Sequence, residues 1–593
     1  MRRLLLILSI AALAWAALVL ATGGVDWRIA GVFFRSRTPD RALLIALALI
    51  VVQAVLFKDA FSRDVLRLSS AVRAFLPAVA LLLAGTLAVH AVHFGTFVAG
   101  GADAFGYVSQ AYSWAAGRLP HAQPIPLTVS WPSGDASLAP LGYRPGLQPH
   151  TMVPTYAPGL PLMMAAFLPL GSCGPYLVVP ACAALVVWLT FILGRRAGGP
   201  WTGVLAALFV TTSPIVRFQS VWPMSDIPAA ALWTGAACAA LGERRRDALM
   251  CGMWTAAGLL MRPNLPIVPV VLFLHLLVTA RARERWVRPA LFSLPVALVV
   301  CFIAALYTVW YGAPWKSGYG AAGEIFLASN ILPNLSRYPV WLWQSQSPLI
   351  LLALVPLWSR MEHANRTAVW LCAALFVATL ASYLVYSPFE EWWYLRFLLP
   401  AIPALLVLVA AGIVMSARRL PPVWRSLTVI ASVIVLVTLT TWFTNLRAAP
   451  GPMRDAERRY ADVGVFIGQL LPANAVVFAV QESGSVRHYG GRMTIRWDLI
   501  DRDWASRAVE EVRRQGLHPY LLVEDFELPQ VRDWFGIEAN APLPWGLVAR
   551  MRQNGGVSVF DMAAPAGAGT PVSLESGVAA RCQGPLPLVL EPR

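Results

Sequence analysis

Two carboxylates and two guanidiniums stand out by position. Asp103 lies in GGADAFGYVSQAYSWAAGRLP, Asp226 in RFQSVWPMSDIPAAALW, Arg262 in GLLMRPNLP and Arg396 in SPFEEWWYLRFLLPAIP. Each falls where a long apolar run begins or ends. An acid at such a boundary can act as a general base or hold a cation. An arginine there must snorkel, pair with an acid or hold an anion. Each has a plainer structural reading. Asp226, two residues before Pro228, can cap the helix it opens, and Asp103 can do the same. Arg396 can sit beside the aromatic belt of Trp392, Trp393 and Tyr394, or pair with Glu390 or Glu391. Lys316, in YGAPWKSGYG, is one of only two lysines in the chain. Together with Arg262 and Arg396 it would suit a lipid-linked phosphate, whose charge needs fixed cations at headgroup depth.

The remaining polar candidates are fewer. Tyr107 and Tyr112 follow Asp103 at near-helical spacing and serve to pack that segment. Glu324 and Glu390 are further acids expected on the outside face near the membrane. His90 and His93 form H-x-x-H, with both rings on one helix face. Without a third ligand they make a weak metal site, so a divalent cation is the only cofactor considered. No nucleophile elbow or phosphate loop occurs.

These residues must be positioned by a membrane domain. Of 593 residues 58% are hydrophobic and 13% charged, with mean hydropathy +0.60, which excludes an ordinary soluble protein. Apolar runs long enough for about 30 Å of hydrocarbon recur. After the first run, which is an uncleaved helix or a signal peptide, further spans are expected at 41–57, 76–95, 175–194, 200–214, 227–241, 248–261, 264–280, 289–311, 347–359, 367–386, 398–416 and 426–446. The total is about 13 in an all-α polytopic domain.

The net charge of +16 is not a nucleic-acid signal. From Arg454 onward the chain has 15 basic and 17 acidic residues, so the excess belongs to membrane loops. Arg195–Arg196, Arg244–Arg246, Arg281–Arg288, Arg360–Arg366 and Arg418–Arg425 occupy every second loop, which makes those loops cytoplasmic. The loop with Arg28, Arg35, Arg37 and Arg41 breaks the pattern; it is expected to lie along the headgroups, with Trp27, Phe33 and Phe34 dipping inward. Segments 96–174, 312–346 and everything after about 447 are then external. The organisation expected is N-terminal helices over 1–75, a membrane domain over 76–450 with its large external loop 96–174, a small extracytoplasmic α/β domain over 451–563 and a flexible tail over 564–593. Alternating apolar strands and the amphipathic stretches DWASRAVEEVRRQG and ELPQVRDWFG give the α/β domain. Cys173 and Cys582 face outside, and nothing in the sequence argues that they pair.

Taken in order, these motifs resemble the polytopic glycosyltransferases of the GT-C fold, the bacterial branch related to protein O-mannosyltransferases and lipid A aminoarabinose transferases. The resemblance covers roughly residues 80–450. It is carried by ADAFGYVSQAYSWAAGRLP, TYAPGLPLMMAAF, RFQSVWPMSD, GLLMRPNLP and EWWYLRFLLPAIP; Ala157, where many relatives have proline, and the lack of a lysine near Pro158 depart from it. The resemblance implies inverting transfer of a sugar from a polyprenyl-phosphate donor to a lipid, glycan or protein acceptor on the outer face of the cytoplasmic membrane. Asp103 would be the general base, Asp226 would orient the acceptor or help bind a cation, and Arg262 and Arg396 would neutralise the leaving phosphate. Tyr107, Glu324 and Glu390 would contact the acceptor or the sugar, and Tyr112 would pack the loop or stack on a sugar. The rival readings are a transporter or flippase of lipid-linked envelope precursors, which should keep its charges near the midplane, and a non-catalytic envelope-assembly protein.

Overall fold

A computed structural model describes residues 1–22, 24–29, 32–36, 38–117, 123–552 and 556–589. Arg37, the Arg118–Pro120 end of the first-loop motif and the last four residues of the tail lie outside that range. All 13 expected spans fall on helices, as their apolar runs require. Fewer meet the length a bilayer demands. Among the described residues seven helices are long and apolar enough to cross, or up to nine if each of two bent pairs counts as one span. The chain is thus a multi-pass membrane protein, but the count of about 13 is not reached. The reason is local: Asp226–Ala240 has 15 residues and Arg245–Met261 has 17. At 1.5 Å per residue these helices reach about 22 and 25 Å, short of about 30 Å of hydrocarbon. One begins at Asp226 and the other ends beside Arg262.

The membrane core is built around Gly174–Gly198, Pro200–Thr212, Asp226–Ala240 and Ile402–Arg418, whose apolar residues form one buried cluster. Small residues allow the close approach, as they commonly do between membrane helices. A side chain at Gly194 would meet the Gly203 backbone at 2.9 Å. Near the N-terminus, Val25–Ile29 and Val32–Ser36 pair as an antiparallel hairpin. Trp27, Phe33 and Phe34 on it are exposed.

After the last membrane helix, Pro422–Arg447, comes helix Pro450–Leu470 and then a six-stranded mixed sheet. Ala475–Phe478 pairs in parallel with both Met493–Ile495 and His518–Glu524. The sheet continues antiparallel through Val557–Pro565 and Trp545–Met551, with Val572–Ser573 at the edge. Helix Pro450–Leu470 covers one face through Val463 and Ile467. The other face is covered by helix Ala505–Arg514 and by the loop that carries Asp103: Phe105, Trp131, Leu138 and Tyr143 share a core with Val476, Phe478, Met493 and Ile495. Loop and domain therefore form one folded unit.

The region expected to be a flexible tail is tied down in this structure. Val572–Ser573 adds a strand, Cys582 is disulfide-bonded to Cys173, and Leu586 and Val589 donate backbone hydrogen bonds to His488 and Gly491. Its Pro/Gly/Ala composition suggested disorder, but contacts far away in sequence hold it.

Candidate active site

The loop carrying Asp103 is shaped by its glycines. Gly101 has φ +56°, a left-handed turn that glycine adopts without strain. A Cβ at Gly100 would meet the Tyr460 ring at 2.4 Å. Helix Asp103–Ala115 starts immediately afterwards, with no side-chain cap. Nor is the Asp226 helix capped by a side chain. The N-cap positions are Ala102 and Ser225, and the two acids in the first turns spend their carboxylates on arginines instead. The Asp103 carboxylate accepts from Arg396, Nη1 to Oδ2, at 3.1 Å, and Asp226 is ion-paired with Arg262.

Arg262 ends its helix because Pro263 follows. Proline restricts the residue before it to extended backbone, and the chain turns there, bringing the guanidinium to the start of the neighbouring helix. The APGLP motif supports this turn from behind. A Cβ at Gly159 would strike the Leu260 carbonyl carbon at 2.5 Å and the Met261 nitrogen at 2.6 Å, so only glycine allows the contact. Arg396 lies in the 3-10 segment Trp392–Ala401, stacked against Tyr394 and Phe397 at 5.4 and 5.5 Å. Its expected ion-pair partners were Glu390 or Glu391. The carboxylate it actually meets is Asp103, while Glu390 lies 3.7 Å from Arg337 on the surface.

Asp103, Asp226, Arg262, Arg396 and Tyr107 all line one cavity of about 680 Å³, a volume typical of small-molecule sites. Tyr107 is buried, exchanges a hydrogen bond with Ser225 at 3.0 Å and packs on Tyr156 at 4.8 Å. Burial, then the nearby Asp103 charge, hold its phenol above the usual range, so it stays a hydrogen-bond donor. Lys316 and Glu324 are not on the wall. Their neighbours Trp315, Ser317, Gly323 and Ile325 are; Lys316 and Ser317 are successive residues of a short strand and so point to opposite faces, and Glu324 lies on the short helix Ala322–Ile325. Ser225, Asn264, Tyr319 and Tyr383 also line the cavity and escaped sequence reasoning. Asn264 donates to Tyr383 at 3.3 Å. Only Asn264 carried a signal, its place inside the Arg-Pro turn.

The electrostatics favour an anion. Asp226 and Arg262 have side chains only 2% and 10% exposed. Arg262 Nη1 and Arg396 Nε have no hydrogen-bond partner among the described residues, and a buried unsatisfied donor is costly. A divalent ion fits the donor set poorly, since each carboxylate already faces a guanidinium. The H-x-x-H pair fits it no better: His90 faces Arg217, Nδ1 to Nη2 at 3.4 Å, and like charge opposes a cation there.

No protein-family model and no curated protein sequence matches the chain. Solved structures do. The oligosaccharyltransferase of Archaeoglobus fulgidus, tethered to an acceptor peptide containing the NVT sequon, aligns with 84% of this chain and 75% of its own, at TM-score 0.50 and 10% identity. ArnT from Cupriavidus metallidurans bound to undecaprenyl phosphate aligns over 84% of this chain and 100% of its own, at TM-score 0.49 and 12% identity. The likeness to the oligosaccharyltransferase is one of fold, and that fold is GT-C.

Proposed function

We propose that this protein is an integral-membrane glycosyltransferase. It moves a sugar from a polyprenyl-phosphate donor to a lipid, glycan or protein acceptor on the extracytoplasmic face, with inversion at the anomeric carbon. The observation that carries the reading is the convergence of two acid–arginine pairs, Asp103–Arg396 and Asp226–Arg262, on one cavity. The shared fold supports the same reaction class, and fold alone would not assign it.

In this reading the donor phosphate is held by Arg262 and Arg396, whose open N–H groups supply charge-assisted hydrogen bonds. The acceptor oxygen attacks the anomeric carbon as the bond from that carbon to the phosphate oxygen breaks. The hydroxyl proton passes to Asp103, and polyprenyl phosphate leaves with its negative charge matched by the two arginines. When the phosphate draws Arg396 toward itself, the Asp103 carboxylate is released to accept the proton. Asp226 holds Arg262 in place and, with Tyr107 and Ser225, orients the acceptor. Lys316, Glu324 and Glu390 are assigned at most to the approach of donor or acceptor. The charges lie at helix ends, which fits transfer better than transport.

The test is transfer of labelled sugar from a polyprenyl-phosphate donor by purified protein in lipid. Asn keeps the shape of Asp but cannot take the proton. Asp103→Asn should lower turnover by about 10²- to 10⁴-fold with donor binding nearly intact. Full activity in that variant would remove Asp103 from the base role.

A further inference from the structure

We infer that a second, smaller cavity binds the phosphate headgroup of an anionic membrane lipid. It shares no lining residue with the first and has a volume of about 240 Å³, below the ~300–1,000 Å³ of pockets that enclose drug-sized ligands. It lies where helix Leu76–Phe94 ends, under the first turns of helix Pro450–Leu470 and the tail around Arg581. Three arginines, Arg454, Arg458 and Arg581, line it together with His93, against the single acid Asp455. Arg458 Nη2 donates to the Ala579 carbonyl at 2.9 Å and Arg581 Nη2 to the Val92 carbonyl at 2.6 Å. Arg581 also stacks over Phe97 at 4.3 Å. Arg454 is engaged, pairing with Asp455 and donating to the His93 carbonyl, each at 3.2 Å, whereas Arg458 and Arg581 each donate one hydrogen bond and keep most of their five N–H groups for a ligand.

Two further observations point to an occupant. Thr96 lines the cavity and is 7% exposed, and its hydroxyl has no partner among the described residues. The backbone beside it is strained: Phe97 has φ +49°, an uncommon state for a non-glycine residue that marks functional sites when packing enforces it. The helix below the cavity indicates a lipid rather than a soluble ion. Leu82, Val89 and His93 follow at spacings of seven and four, one helix face, and Leu82 and Val89 are 71% and 61% exposed. An acyl chain lying along Leu82 and Val89 brings its phosphate to the arginines.

The experiment uses the full chain in phosphatidylcholine nanodiscs containing a minor fraction of phosphatidylglycerol. Lipid retained by the protein is read by native mass spectrometry. Wild type should keep one phosphatidylglycerol, and Arg458→Gln should lower its occupancy about tenfold, the loss expected for a charge-assisted hydrogen bond. Thr96→Val, which changes no charge, should lower it about three- to tenfold. An unfolding transition at the wild-type temperature confirms that each variant is folded. Equal phosphatidylglycerol retention by wild type and both folded variants overturns the site. Displacement of the lipid by millimolar inorganic phosphate alone overturns the lipid assignment.

Discussion

At the scale of single residues, the two acid–arginine pairs differ in how much solvent reaches them, and their variants should differ accordingly. Asp226 and Arg262 are almost fully buried, whereas Arg396 and Asp103 are 19% and 29% exposed. Removing one partner of a buried pair strands the other charge, at a cost of about 3–5 kcal/mol. Arg262→Gln should therefore lower the melting temperature sharply, and the double variant Asp226→Asn/Arg262→Gln should recover much of the loss. Strictly additive losses in the double variant would rule out a coupled pair. Arg396→Gln should leave the fold in place and raise the donor concentration needed for half-maximal transfer, measured by donor titration. Nothing in the sequence said which acid meets which arginine. The motifs marked boundaries of apolar runs, so all four residues were legible as candidates. Their pairing depends on how helices about 40 to 300 positions apart lie side by side, and local periodicity carries no information about that.

At the scale of elements, the Asp103 loop is held by the C-terminal domain as well as by the membrane helices. Ala99 donates its N–H to the Tyr489 hydroxyl at 2.7 Å, the Tyr460 ring occupies the space beside Gly100, and a Cβ on Gly484 would meet the Phe105 ring at 2.3 Å. Gly100→Ala should displace the loop and cut turnover with insertion unchanged. Adding Tyr460→Ala should restore part of it, a coupling readable by a double-mutant cycle; independent effects would mean that the ring does not set the loop. The helix bearing Tyr460 adjoins buried acids. Arg459 donates to Glu524 at 2.9 and 3.1 Å. Burial, followed by the neighbouring Glu524, pushes Glu482 up to about 8, and burial pushes Glu527 up to about 7. Both values lie above the ordinary ~4.3 of an unfolded chain. The folded state therefore binds more protons than the unfolded one in this range, and stability falls as pH rises. Toward pH about 8, His488, which burial lowers to about 3, is almost wholly neutral in the unfolded chain as well, so the slope there belongs to the buried acids, among them Glu457, which burial raises to about 7. The external unit should melt at a lower temperature at pH about 8 than at pH about 7, and Glu482→Gln should flatten the dependence; an unchanged slope would assign it to other groups. Alternating apolarity gave away the main strands. Helix Ser483–Gly490 and strand Val572–Ser573 were not legible, being short and defined by contacts with partners distant in the chain.

At the scale of the whole molecule, one link bears on topology directly. Cys173 lies in the first large loop and Cys582 near the end of the chain, 409 positions apart, and they are joined. Disulfides persist in oxidising compartments and are rare where glutathione keeps thiols reduced. The topology proposed from the arginine-rich loops puts both cysteines on the side opposite the cytoplasm, where such a link would persist. In that proposed topology the same side carries both cavities and the domain that packs on the Asp103 loop. Of the other five cysteines four are buried and Cys301 is exposed, within the apolar helix Val287–Tyr311. A membrane-impermeant thiol reagent applied to intact cells or spheroplasts should therefore find nothing to label. After brief treatment with an impermeant reductant it should add two labels, on Cys173 and Cys582, and a Cys582→Ser variant should take one label on Cys173 without reduction. Labelling that requires permeabilised membranes would place the domain in the cytoplasm. It would also remove the acceptor side from the proposed reaction, since Asp103 is anchored to that same domain.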